Sequence, residues 1–333
     1  MNQSSQAVVD VLRAYFGDEL KTRRWPKPLH LLQGTLLFLS GTDMASAARL
    51  VGTTPGRLEV VATNPEPVEA ILHIRDSDLT TDQLEKQRRK VGELVLGRAA
   101  EIAFQDICSE NIDPLEYSLT DVREGRTNTD FRLLNGGDRP LYRFNVKFIG
   151  SVFRRGAEMV KIEPTDCFPL ATYKIFAALQ EQENEHLPYV FAIVGVRGLV
   201  AATVAEIIPE ADVRPITLLS QSEVVRRSRD YEDWLVDRIV DARAPAFATA
   251  YDRIRAAPWY VLSARRADKL MHEMLFERVY ALAIPGFTRK FSGAEVDMHF
   301  SLTNDLMPLL DLLAVLREDG QGRVTTMLER GTV

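Results

Sequence analysis

The chain has 333 residues, 46% of them hydrophobic, enough for two or three domains with real cores. Its formal charge of −6 excludes a global positive field, so any surface for nucleic acid has to be local. The cysteines, Cys108 and Cys167, belong to no CxxC or Cys/His cluster, which excludes a sequence-visible zinc site and suits a reduced compartment.

Met1 to Asp10 has neither a basic n-region nor an apolar h-region, and no apolar run reaches the length of a membrane span. The expectation is a soluble, cytoplasmic protein with no membrane partner. Residues 5–17 read as an amphipathic helix (Val8, Val9, Leu12, Tyr15, Phe16) stopped at Gly17. A basic link follows, with Lys21, Arg23, Arg24 and Lys27 around Trp25, Pro26 and Pro28. Residues 29–62 predict two or three short helices, Asn64-Pro65-Glu66-Pro67 a break, and 68–74 a strand or short helix. From Leu79 to Ser109 the period is helical, opening at a Thr80 or Thr81 cap, with Gly92 and Gly97 marking kinks or close packing.

The middle of the chain changes period. Residues 115–122, 130–134 and 141–149 predict strands joined by Gly/Asn/Asp turns, 169–183 a helix, and the apolar run 189–196 a buried strand. Residues 199–215 read as a strand or loop pair. Helices follow at 221–241, 246–256 and 265–282, then turns at 285–293, a strand at 294–302 and a last helix at 304–317. The expected organisation is a helical segment over 1–75, an α/β core over 79–218 and a mostly helical region over 219–333.

The residues that carry chemistry cluster on one hairpin. Thr127-Asn128-Thr129-Asp130-Phe131 is followed by the turn Asn135-Gly136-Gly137-Asp138 and then by Asn145-Val146-Lys147-Phe148. Side chains alternate along a strand, so Asn145 and Lys147 share a face, and the hairpin lets Asp130 lie beside them. Glu101, on the preceding helix in Gly97-Arg98-Ala99-Ala100-Glu101, can point back over the strand ends. Carboxylate oxygens suit a hard cation, and a nearby lysine can activate water or offset phosphate charge.

This order of parts, a helix with Gly-Arg-x-x-Glu, a strand with Asp, x-Val-Lys on the next strand and then a helix, resembles the restriction-endonuclease-like PD-(D/E)xK nuclease superfamily over roughly residues 90–200. The resemblance implies a central mixed sheet flanked by helices and a Mg2+- or Mn2+-dependent endodeoxyribonuclease. It makes Asp130 the metal-binding aspartate, Glu101 the helix glutamate and Lys147 the catalytic lysine. Thr129 replaces proline, a harmless change. Asn145 stands where a second acidic ligand is expected: its oxygen can coordinate a metal but brings no charge. Glu101 compensates, or a downstream carboxylate (Glu158, Glu163, Asp166) does, or the site is weak or dead.

Other features suit DNA. Arg139, Arg143, Arg154, Arg155 and Lys161 surround the lysine strand, with Arg154-Arg155-Gly156 as a loop that can track phosphates. In related nucleases the helix after the lysine strand often faces the site, which adds Lys174. Near the N-terminus, residues 43–58 resemble a helix-turn-helix, with Ala48 at the close helix contact, Gly52 in the turn and Leu58 on the core side. Thr53, Thr54 and Arg57 then open the recognition helix, with Lys21, Arg23, Arg24 and Lys27 as added phosphate contacts. Towards the C-terminus Arg265, Arg266 and Lys269 form a basic patch, and Glu295, Asp297 and His299 alternate along a strand in a pattern that polar-out packing explains. No phosphate-cradling glycine loop, Gly-x-Ser-x-Gly or Rossmann fingerprint is present, which argues against ATP use and serine-hydrolase chemistry.

The expectation is a metal-dependent DNA endonuclease, with restriction or phage defence as an analogy from fold and a homodimer left open. The alternatives are a DNA-binding protein that kept the scaffold without the activity, and a regulatory interaction module.

Overall fold

The computed structural model describes residues 3–27, 29–63, 74, 76–122, 129–200, 204, 206, 208, 210–222, 229–242, 244–277, 297–319 and 321–330. Several sequence expectations lie outside these residues: the break at 64–67, nearly all of 68–74, Thr127 and Asn128, the turns at 285–293 and Glu295. The chain divides into two compact units, each built from two stretches: Met1–Val95 with Ala201–Phe247, and Leu96–Val200 with Ala248–Val333. The boundaries expected near 75–79 and 218–219 fall elsewhere, because strands from the far end of the chain complete the sheet.

The first unit is helical among the described residues. It holds α1 (Gln3–Phe16), α2 (Glu19–Thr22), α3 (Leu29–Leu39), α4 (Met44–Val51), α5 (Pro55–Thr63) and the first part of α6 (Thr81–Asn111). From the later stretch come α9 (Glu210–Gln221) and α10 (Arg229–Ala242). The 199–215 region expected as strand or loop thus enters a helix that accommodates Pro215. Asp43 caps α4 by accepting from Ser46 N at 3.0 Å, and Gly52 ends it at φ +67°, a conformation that favours glycine. Ala48, Val51 and Leu58 are buried where α3, α4 and α5 pack together. Gly34 on α3 permits that approach: a Cβ there would lie 2.8 Å from Leu58.

α6 opens with a reciprocal cap, Gln83 N donating to Thr80 Oγ1 at 3.3 Å and Thr80 N to Gln83 Oε1 at 2.8 Å. It stays helical through both glycines. Gly92 makes room for Val204, whose Cγ2 would lie 2.2 Å from an added Cβ, while a Cβ on Gly97 would meet nothing.

The second unit is built on a six-stranded, mostly antiparallel sheet flanked by helices. Its strands in chain order are β1 (Tyr117–Asp121), β2 (Phe131–Asn135), β3 (Pro140–Ile149), β5 (Tyr189–Gly195), β6 (Trp259–Ser263) and β8 (Met307–Pro308), and that is also their spatial order. β1, β2 and β3 form an antiparallel meander, and β5 lies parallel to β3, reached through α8 (Thr172–Glu185). β6 returns antiparallel to β5 and pairs with β8. Before α8 come α7 (Arg154–Val160) and β4 (Cys167–Ala171), which pairs with β7 (Asp297–Ser301) in a separate two-stranded sheet. The helix expected from 169 therefore begins at Thr172, because Phe168 and Leu170 are drawn into strand packing against Phe300 and Met298. The region expected to be mostly helical contributes the unexpected strands β6 and β8 as well as β7, which lies within the strand expected at 294–302, besides α11 (Ala244–Ala256), α12 (Ala264–Glu277), α13 (Leu309–Asp319) and α14 (Gln321–Arg330).

Both faces of the sheet are covered, which is why β5 reads as an unbroken apolar run. On one face Phe104 of α6 meets Phe144, Phe131 and Trp259 at 5.2, 5.5 and 5.9 Å between ring centroids. On the other, Tyr189, Phe191 and Ile193 pack with Ile175, Leu262, Leu270 and Phe300. Phe104→Ala is expected to lower unfolding stability by about 3–5 kcal/mol, read from urea denaturation, because it opens a cavity at the meeting point of three rings. Among the described residues no helix is long and apolar enough to cross a membrane.

Candidate functional site

Asp130 immediately precedes β2. Its N–H donates to Phe144 O at 2.9 Å, and its Oδ2 accepts from Val146 N at 2.7 Å. The carboxylate is thereby pinned beside β3 between Asn145 and Lys147, as the hairpin reading expects. Asn145 is only 7% exposed and Lys147 is half-buried. Their register opposite Phe191 and Ile193 places both on the same face of the sheet.

Burial dominates the electrostatics. It raises the pKa of Asp130 above its ordinary value, against the opposing pull of Lys147 and of the Val146 N–H, while Asp121 adds to the rise and Arg98 counters it. Lys147 is pushed down to about 8 by desolvation, opposed by Asp130, reinforced by Lys174 and opposed again by Glu101. Asp130, Lys174 and Glu101 thus all act on Lys147 in a partly desolvated spot. Lys147, with its pKa lowered to about 8, exchanges its proton at mild pH far more readily than an ordinary lysine.

Glu101 projects from α6 and forms an ion pair with Arg98 at 3.2 Å. Asp121, at the end of β1 opposite Phe131, is a carboxylate that sequence reasoning passed over. Its own pKa is raised by burial and held back by Arg98. The signal was present: Asp121 ends a strand that the meander sets next to β2. Arg98, of the Gly-Arg-x-x-Glu turn, belongs to the same constellation through Glu101, Asp121 and Asp130.

The downstream carboxylates named as substitutes for the missing acid do other work or lie elsewhere. Asp166 Oδ1 accepts from Thr303 N at 3.0 Å, and Oδ2 accepts from the Ser301 hydroxyl, so it caps the turn after β7. Glu158 is exposed on α7, and Glu163 stands in the turn before β4.

The expected DNA contacts divide. Arg143 is completely buried and pairs with Glu181 at 2.9 Å and with Glu185, both on α8. It ties the helix to the sheet and presents no guanidinium to a phosphate, a correction that follows from β3 being central, with both faces covered. Arg154 and Arg155 are exposed, but they open α7 where a loop was expected. The neighbouring Gly156 is pressed against His299, whose Nε2 would lie 2.2 Å from an added Cβ. Lys174 is exposed on α8, within reach of Lys147 and 5.9 Å from the Tyr173 ring centroid. In the first unit Thr53 is half-buried, and Thr54 and Arg57 are exposed at the start of α5, with Arg57 N donating to Thr54 Oγ1 at 3.4 Å.

The acidic and amide groups of this neighbourhood are oxygen donors: Asp121 acts on Asp130, Glu101 acts on Lys147, and Asn145 flanks the Val146 N–H that holds Asp130. Among the described residues no three His, Cys, Asp or Glu side chains are gathered to hold a cation by themselves. Compared with protein-family models, with curated proteins and with solved structures, the chain matches none.

Proposed function

We propose that this protein is a metal-dependent endonuclease with a restriction-endonuclease-like core, hydrolysing phosphodiester bonds in DNA. One observation carries the reading: the Asp130 carboxylate, fixed by the Val146 N–H, stands beside a Lys147 whose charge is poised by burial. The connectivity agrees, a helix leading into an antiparallel β1-β2-β3 meander and a helical crossover to parallel β5.

Asp130 and Glu101 would hold Mg2+ or Mn2+, with Asn145 as a neutral oxygen donor. The ion would supply Lewis-acid stabilisation of charge on the phosphate and a more acidic bound water. Lys147 holds or releases a proton at Nζ beside the reacting phosphate, and its charge offsets the developing negative charge. Arg98 keeps Glu101 in place until a cation competes for it. Asp121 adds negative charge near Asp130 and compensates in part for the neutral Asn145.

The test is nicking of supercoiled plasmid in Mg2+ or Mn2+, lost in Asp130→Asn and Lys147→Met. Absence of cleavage of duplex, single-stranded and branched DNA with either ion removes the reading.

A second reading, a DNA-binding protein without cleavage, is favoured by Asn145 itself, since a neutral ligand weakens cation binding. Asn145→Asp separates the two. It is expected to lower the Mn2+ concentration for half-maximal cleavage by about tenfold, since added ligand charge tunes affinity. The same change lowers thermal stability, because it buries a carboxylate. A variant that folds, binds DNA and still never cuts supports the second reading.

A further inference from the structure

The first unit carries a concentration of positive charge that the site around Asp130 does not use. The loop between α2 and α3 is held rigidly by buried Gln33. Its Nε2 donates to Leu20 O at 2.8 Å and to Arg23 O at 2.7 Å, and its Oε1 accepts from Trp25 N at 2.9 Å. Trp25 is itself locked among rings, 4.4 Å from Phe16 and 5.6 Å from Trp234. The backbone on either side of Arg24 is consequently anchored. Arg23 turns to Asp237 at 3.4 Å, whereas Arg24 and Lys27 are exposed.

Arg24 lies across the turn between α4 and α5. A Cβ on Gly52 would fall 2.4 Å from its Nη2, so the glycine both ends α4 at positive φ and leaves room for the guanidinium. Arg57 stands in the first turn of α5. Beneath these groups is His30 of α3, 8% exposed, with an Nδ1 that has no hydrogen-bond partner among the described residues. Burial, Arg24, Arg57 and Lys27, in that order, hold its pKa below the ordinary histidine value. No carboxylate opposes them at this ring, and neither Arg24 nor Arg57 makes an ion pair among the described residues. Arg24 and Arg57, like charges brought from a loop and a helix with no ion pair among the described residues, repel in the free protein and favour an anionic occupant.

We propose that Arg24, Lys27 and Arg57, set over His30 at the start of α5, form a seat for a backbone phosphate of duplex DNA. The seat is open and not an enclosed pocket, since all three cations are exposed. In α5 Leu58 alone is fully buried among the described residues, which leaves the rest of the helix free to approach a groove. The dipole of the helix start adds to the attraction for a phosphate. The assignment rests on DNA as the protein's ligand and is independent of whether the Asp130 site cuts.

The test uses the full chain in EDTA, with anisotropy of a labelled duplex oligonucleotide titrated at several salt concentrations. Arg24→Gln and Arg57→Gln are each expected to weaken binding about tenfold and to reduce the slope of log K against log salt by about one. Arg253→Gln, a change at an exposed position of α11, is expected to alter neither. Equal affinity and slope in parent, Arg24→Gln and Arg57→Gln, with all three folded by circular dichroism, would overturn the proposal. So would a parent that binds no duplex. Inorganic phosphate supplies the second arm: protection of the parent from thermal unfolding that is lost in Arg24→Gln, with duplex affinity unchanged, assigns the seat to a small anion and removes DNA. Duplex binding through these residues without nicking keeps the seat and removes the nuclease reading. Nicking that is unaltered in both variants, with unaltered binding, does the reverse.

Discussion

Lys147→Met is expected to abolish cation-dependent strand cleavage, by about 10³-fold or more, while the protein at pH 7 stays at least as stable as the parent. The two effects part because they have different origins. In the proposed mechanism the lysine would act through its charge and proton, whereas to the fold it is an ammonium placed in desolvated surroundings on a central strand. Methionine keeps the stem and removes the group that burial penalises. The sign of the pH dependence follows. Lys147 has a folded value near 8, below the ordinary 10.5, so between those values the unfolded chain binds more protons and the parent gains stability as pH rises. The advantage of methionine is therefore greatest below about pH 8 and fades towards 10.5. Asp130 loses its cationic neighbour in the variant and takes up a proton more readily, which limits the gain. Urea denaturation at several pH values, run beside plasmid nicking, checks both halves. A variant that cuts normally removes Lys147 from the chemistry, and one that unfolds at pH 7 makes the lysine a structural group.

Arg143→Ala is expected to cost about 3 kcal/mol of stability and to leave the salt dependence of DNA binding unchanged. The guanidinium is buried and shared between Glu181 and Glu185, so its removal leaves two carboxylates of α8 without their partner over the centre of the sheet. Arg132, paired with Glu185 at 3.0 Å, takes over part of that charge, which keeps the loss near the lower end for a buried pair. Urea unfolding gives the energy, and the slope of log K against log salt gives the charge count. A slope that falls by about one in a variant of unchanged stability would mean that Arg143 contacts phosphate after all.

Arg143 also shows where sequence reading stops. In the sequence it is one of several arginines near a lysine strand and looks like a phosphate contact. Its partners lie in α8, some 40 residues later, and a buried ion pair formed across such a distance leaves no local pattern. Asp166 behaves alike: an acid near the site in sequence, it is consumed by Ser301 and Thr303 from the far end of the chain. Asp121, by contrast, was within reach of the sequence, since the end of a strand adjoining the Asp130 strand is a predictable neighbour.

Local chemistry determined much by itself. The Thr80 cap and helical period placed α6, and Asn135-Gly136-Gly137-Asp138 placed the hairpin that brings Asp130 beside Asn145 and Lys147. Gly52, with Ala48 and Leu58, placed the α4–α5 turn. These features depend on residues within a few positions of one another, and periodicity and turn preference report such spacing directly. Tertiary structure alone decided the rest. The sheet recruits β6 and β8 from beyond residue 250, and β4 forms because β7 offers it an edge. Which charged groups of the second unit are exposed followed from that assembly. Burial is a property of everything that packs against a residue, and the groups that pair with Arg143 or act on Lys147 are distant in the chain.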